Sequence, residues 1–196
     1  MNQEMRNPCM AAGACAGGDG PCSYGPGGRG ANIGYSIVDS ALGRLLVAGT
    51  RHGLCFAALG DSDRAIISEL RADYPKASIR RDDALAGKWA DAIAKNLGGG
   101  SAILKLPLDI RGTQFQRSVW EQLRAIPRGE TRSYTEIARR IGRPRAIRAV
   151  GTANGANPVA IVIPCHRALR ASGHLGGYRW GLDRKRQLLE LEAAHH

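Results

Sequence analysis

Hydrophobic and polar positions first organise near Ile33. The run Tyr35-Ser36-Ile37-Val38 alternates, Ser40-Ala41-Leu42-Gly43 turns the chain, and Leu45-Leu46-Val47-Ala48 reads as a second strand. After a turn at His52-Gly53, Leu54 to Leu59 makes a third. Three strands joined by short turns predict an antiparallel meander. Asp61 or Ser62 then caps a helix carrying Ile66, Ile67 and Leu70, which Pro75 ends. Asp82 to Leu97 reads as another helix, with Leu85, Trp89 and Ile93 on one stripe, stopped at Gly98-Gly99-Gly100. Ile103 to Leu108 has the length of a further strand.

The pattern changes in the second half. Thr113-Gln114-Phe115-Gln116 has capping-box spacing and opens a helix that aligns Phe115, Val119 and Leu123. Ser133-Tyr134-Thr135-Glu136 is a second capping box, followed by Ile137, Ala138 and Ile141. Gly142-Arg143-Pro144 connects it to a third helix running from Arg145 to Asn154. Two short helices joined by a Gly/Pro turn have helix-turn-helix form. Ala146, Ala149, Gly151 and Ala153 of the third helix are all small; such residues permit close approach to a surface but make few base-edge hydrogen bonds. Val159 to Ile163 is wholly apolar and reads as a strand that delivers Pro164-Cys165-His166-Arg167. A Gly-rich stretch, 172–181, leads into a last helix from about Leu182 to Glu192, with Leu188, Leu189 and Leu191 facing inward.

The expected fold is therefore α+β. A tail of Gly, Ala and Cys (1–31) shows no hydrophobic period and is expected to be disordered. A small three-stranded antiparallel sheet with helices (32–108) follows as a support domain. A mainly helical, winged-helix-like domain containing the helix-turn-helix (109–196) completes the chain.

Charge sharpens this division. The net formal charge is +11. Residues 1–110 hold 12 Lys/Arg against 11 Asp/Glu, and residues 111–196 hold 16 against 6. So concentrated a basic excess suits a polyanion, because each phosphate neutralised releases counterions. No apolar run reaches the roughly 20 residues of a membrane helix, and the N-terminus lacks the basic-then-apolar order of a signal peptide. A cytoplasmic location, with no membrane partner, is expected. Five cysteines, an odd number, argue against a disulfide framework. Cys9, Cys15 and Cys22 are spaced more widely than CxxC-type zinc pairs, so free thiols in the tail are the expected state and no metal is assigned.

The candidate chemistry is at Cys165. A thiol becomes a strong nucleophile as thiolate, which a neighbouring base or cation favours. Consecutive residues on an extended chain point to opposite faces, so His166 needs a bridging water or a sharp turn to serve the sulfur. A carboxylate behind the imidazole would then hold its orientation.

The run Asn157-Pro158-Val159-Ala160-Ile161-Val162-Ile163-Pro164-Cys165-His166-Arg167 resembles the active-site signature of O6-alkylguanine-DNA alkyltransferases, also called methylated-DNA–protein-cysteine methyltransferases. The likeness continues at Gly129-Glu130, Ser133-Tyr134, Arg148-Ala149-Val150-Gly151, Gly176-Gly177-Tyr178-Arg179-Trp180-Gly181 and the helix of Lys185, Leu188, Leu189 and Glu192. The resemblance implies repair of O6-alkylguanine, with O4-alkylthymine as a further candidate, by irreversible transfer of the alkyl group to Cys165 without a cofactor. It implies that His166 is the base acting through water, Glu192 its orienting group, and Asn157 the residue holding the turn. It implies minor-groove contact with double-stranded DNA through Ala146, Ala149 and Gly151. Arg148 would fill the space of a flipped nucleotide, and Tyr134 would help rotate the base and donate to guanine N3. Tyr134, Ala168, Tyr178 and Arg179 would line the base pocket, and the protein would act as a monomer. Three other classes were weighed. A lesion binder that accepts no alkyl group would lack the nucleophile that Cys165 supplies. A DNA-reading regulator would need base-reading side chains on the third helix. A cysteine hydrolase would not need the basic half.

Overall fold

The computed structural model describes residues 15–16, 23–99 and 104–194. Most of the tail, with Cys9 and Cys22, lies outside the described residues. The end of that stretch does not behave as a tail. Tyr24, its one aromatic residue, is buried, meets Tyr74 edge-on at 5.8 Å, and donates its hydroxyl to the Asp109 carbonyl at 2.9 Å. Pro26–Gly28 forms a 3-10 turn. Burial of that ring, with backbone bonds from Lys76 to Gly27 and from Ser78 to Ala31, brings 23–31 into the body of the protein. Further back, β1 (Cys15–Ala16) pairs antiparallel with β6 (Ile110–Arg111).

The meander is present as β2 (Asn32–Ser40), β3 (Gly43–Thr50) and β4 (Gly53–Gly60). A fourth strand, β5 (Ser78–Arg81), lies parallel to β2, giving the order β4-β3-β2-β5. The sequence Ser-Ile-Arg-Arg has no apolar period, so only its pairing partner reveals it as a strand. Helix α1 (Asp63–Asp73) is capped by Ser62, which accepts from the Ala65 amide, and buries Ile66 and Leu70. Helix α2 (Asp83–Leu97) is capped by Asp82 and buries Ala86, Ala90, Ile93 and Leu97. The expected stripe is thus displaced: Leu85 and Trp89 are half-buried at its margin. They sit over Gly34 and Gly49, which pair across β2 and β3 and have no room for a Cβ beneath α2.

The stretch 104–107 is not a strand; Leu108 alone bridges to Leu54, and Ile103 lies outside the described residues. Strand β4 is buried along its whole length. Its free edge receives two segments of the second half. Leu54 and Asp109 bond to Pro107 and Leu54, each at 2.8 Å, and Ala57 exchanges bonds with Pro158 and Ala160 at 2.9 and 3.0 Å. One hydrophobic core consequently runs from Tyr24 to Leu188.

Beyond it, α3 (Gln114–Arg124) opens on the Thr113 capping box and buries Val119, Trp120 and Leu123. The Trp120 indole donates to the Ala153 carbonyl at 2.8 Å. Helix α4 (Tyr134–Arg140) opens on the Ser133–Glu136 capping box. Helix α5 (Ile147–Gly155) begins later than expected, with Ala146 at its N-cap and Arg145 in the preceding turn. The two-stranded pair β7 (Arg132–Ser133) and β8 (Ala168–Leu169) flanks this helix-turn-helix, and α6 (Leu182–Ala193) closes the chain. Among the described residues no helix is long and apolar enough to cross a membrane.

Candidate active site

The apolar run before the cysteine is a folded loop and not the expected strand. Asn157, fully buried, donates its amide to the Ile163 carbonyl at 2.8 Å and accepts from the Val159 amide at 3.0 Å. Tight backbone bonds follow, Val162 to Ala160, Ile163 to Val159 and Cys165 to Ile163. Ile161 takes φ +72°, a left-handed conformation that a β-branched residue adopts only under constraint. A buried loop and a buried strand ask for the same apolar composition. Asn157 and the β4 edge decide between them by satisfying the loop's polar groups.

Cys165 opens a 3-10 turn, Cys165–Arg167, so the chain bends at the Cys-His pair. The thiol is 2% exposed. Burial pushes it up, while an Asn157 hydrogen bond and the charges of Lys185 and Arg179 pull it back. His166 is fully buried, with Nε2 at 2.9 Å from Glu192 Oε1. Burial opposes the Glu192 charge, but hydrogen bonds from His166 and Arg167 prevail and hold the carboxyl at about 2. A carboxylate only accepts, so His166 Nε2 carries the hydrogen. Nδ1, buried and with no protein partner, is left as the basic nitrogen. Burial keeps the imidazole below its ordinary value and therefore neutral, against the pull of Glu192.

Two cations complete the set. Arg167 grips Glu192 through Nε and Nη2, both at 2.8 Å, and donates to the Ile126 carbonyl. Lys185 is fully buried and donates to the carbonyls of Ala168 at 2.6 Å and Gly176 at 3.5 Å. Burial lowers it to about 8. Sequence reasoning assigned neither residue a task. The signal on α6 was present: Lys185, Leu188 and Glu192 share one face at helical spacing, so two charges lie on an inward-facing stripe.

Tyr134 and Tyr178 stand near the sulfur. Burial raises both hydroxyls, and the Cys165 charge adds to the effect. Gly176 packs against the Tyr134 ring so closely that any Cβ there would strike its hydroxyl. Tyr178 meets Trp180 edge-on at 5.3 Å, and its buried hydroxyl has no protein partner. Ala168 is buried and turns its carbonyl to Lys185. The Arg179 side chain runs to α1, where Glu69 and Asp73 take its guanidinium.

On α5, Arg148 and Ala149 are exposed, Ala146 and Gly151 half-exposed, while Val150, Ala153 and Asn154 face inward. Arg145, Ala146, Ile147, Arg148 and Ala149 line a shallow surface hollow. Arg143 and Arg145 extend the basic face. Among the described residues no group of His, Cys, Asp and Glu gathers as a metal site.

A buried cysteine followed by a His-Glu pair, beside a basic helix-turn-helix, defines a class of protein, one that sets a buried thiol and an imidazole next to a nucleic-acid-type docking fold. Comparison with known proteins narrows the class. Residues 114–194 match the family model of the 6-O-methylguanine DNA methyltransferase, DNA binding domain. The chain is 47% identical over 167 residues to the bifunctional transcriptional activator/DNA repair enzyme Ada of Escherichia coli K12, covering 85% of this chain and 47% of that protein; it spans about half that relative's length. It is 44% identical over 163 residues to the methylated-DNA–protein-cysteine methyltransferase of Mycolicibacterium paratuberculosis, covering 83% of this chain and 94% of that one. The structure of Mycobacterium tuberculosis OGT in complex with DNA matches with a TM-score of 0.70 at 40% identity, covering 82% of this chain and 93% of that one. The chain belongs to the methylated-DNA–protein-cysteine methyltransferase family.

Proposed function

We propose that this protein binds double-stranded DNA and repairs O6-alkylguanine by moving the alkyl group onto Cys165 in a single, irreversible turnover. The observation that carries this reading is the buried His166–Glu192 pair next to the buried Cys165, with the second imidazole nitrogen left without a protein partner.

The small-residue face of α5 (Ala146, Ala149, Gly151) docks in the minor groove. The lesion is then rotated out of the stack, because a sulfur this deeply buried cannot reach a base inside the duplex. Arg148 takes the vacated space. The Cys165 proton passes through a bridging water to His166 Nδ1. The sulfur attacks the alkyl carbon, a C–S bond forms, and the bond from that carbon to guanine O6 breaks. Guanine leaves with the electron pair, and its charge is stabilised by a hydrogen bond from Tyr134 to N3. The raised Tyr134 hydroxyl stays protonated at neutral pH and so remains a donor. Asn157 holds the loop, and Ala168, Tyr178 and the Arg179 backbone line the pocket. The Cys165 thiolate is a poor leaving group from an alkyl carbon, so the C–S bond persists and the thiol is not restored. The setting is the cytoplasm, on DNA, as a monomer, with O4-alkylthymine as a second substrate.

The test is incubation with duplex DNA labelled on the O6-methyl carbon, followed by peptide mass spectrometry. One label per molecule is expected on the peptide holding Cys165. Transfer that persists in Cys165→Ala would overturn the assignment.

A further inference from the structure

The main chain from Gly177 to Trp180 belongs to no helix or strand. Yet this segment carries Tyr178, buried and close enough to Cys165 to feel its charge, and Trp180, which meets the Tyr178 ring edge-on at 5.3 Å. Something outside the segment must hold it. Arg179 lies between the two aromatic residues in sequence and carries its guanidinium to α1 and β4. Its Nε is 2.5 Å from Glu69 and its Nη2 is 2.8 Å from Asp73. Its guanidinium carbon lies 5.7 Å from the centre of the Phe56 ring on β4 and 5.6 Å from that of Trp180. The side chain is only 20% exposed. Glu69 and Asp73 stand four residues apart on α1 and therefore share a face. Burial raises the Glu69 carboxyl and the Asp73 charge adds to the effect, while Arg179 draws it back; the planar fork of Arg reaches both carboxylates while stacking on rings.

We propose that Glu69 and Asp73 are positioning residues for the transfer step, acting through Arg179 to hold the Tyr178–Trp180 wall against Cys165. The proposal rests on the transfer reading above. It gives the N-terminal half a task in the reaction although it supplies no reacting atom. Neither carboxylate lies on the α5 face, so docking on DNA is separable from the geometry of the wall.

The experiment uses the full chain and a duplex carrying O6-methylguanine, in single-turnover reactions over a range of DNA concentrations. In Glu69→Gln/Asp73→Asn the limiting rate falls about tenfold to hundredfold, as displacements near 1 Å at a reacting centre do. The half-saturating DNA concentration moves by less than about threefold. Arg179→Lys keeps the charge without the fork, so its limiting rate lies between the unaltered protein and Arg179→Met. Circular dichroism checks that each variant is folded, and Glu69→Gln alone carries the same test should the double variant not fold. A folded carboxamide variant with a limiting rate within about twofold of the unaltered chain overturns the proposal, as does an Arg179→Lys rate no better than that of Arg179→Met. An unaltered chain that takes no label on Cys165 overturns instead the transfer reading beneath it.

Discussion

Glu192 keeps a charge in a place that disfavours charge. Burial pushes its carboxyl up, and the hydrogen bonds from His166 and Arg167 overcome that push, to a value of about 2. The group is acidic and its value is lower in the folded chain than in the unfolded one. Its contribution to stability is therefore complete above the ordinary 4.5 and is lost as the pH falls toward 2. The interval corresponds to about 3 kcal/mol. In urea titrations at pH 7, Glu192→Gln should lower the unfolding free energy by about that amount. The gap between the two proteins should shrink steadily below pH 4.5, and an undiminished gap at pH 3 would refute the charge account. The Glu192–His166 pairing was open to a reader of the sequence through the Cys-His signature. The grip of Arg167 on the same carboxylate was not, because the resemblance gave His166 a role and Arg167 none.

Among the elements, α5 carries the clearest consequence. Its outer face offers Arg148 and small residues to solvent, while Val150 and Ala153 tie it to the core. If Arg148 fills the gap left by a rotated base, Arg148→Ala should slow repair of duplex by about tenfold or more and reaction with free O6-alkylguanine by less than about twofold. Rates measured in the two assays decide it, and equal losses would contradict the flipping role. Helices such as α3 and α4 were legible because a capping box is local chemistry, complete within four residues. Strand β5 was not, since Ser78–Arg81 is a strand only by virtue of β2 beside it. The loop before Cys165 was misread for a different reason. Apolar periodicity reports burial, and Val159–Ile163 is buried; it does not report that Asn157 folds the segment back on itself with Ile161 left-handed.

At the scale of the whole molecule, the boundary expected near residue 108 falls inside one core. The edge of β4 would lie bare if the second half were removed, and the main-chain groups of Pro158 and Ala160 would lose their partners at Ala57. Arg184 reinforces the join, reaching Asp61 and the Leu42 carbonyl from α6, as does Arg179 with α1. Opening either half alone exposes apolar surface on both, so partial unfolding has no free-energy minimum of its own. We expect one cooperative transition. Trp89 reports on the sheet and α2, while Trp120 reports on α3 and its bond to Ala153. In variants with Trp180→Phe that keep only one of these two, fluorescence in urea should give the same midpoint and slope, coincident with circular dichroism. A lower midpoint for the Trp120 probe would mean that the helix-turn-helix half melts first. The β4 edge would then be a contact between two separable domains, and the loop it templates would be free to loosen in the folded protein.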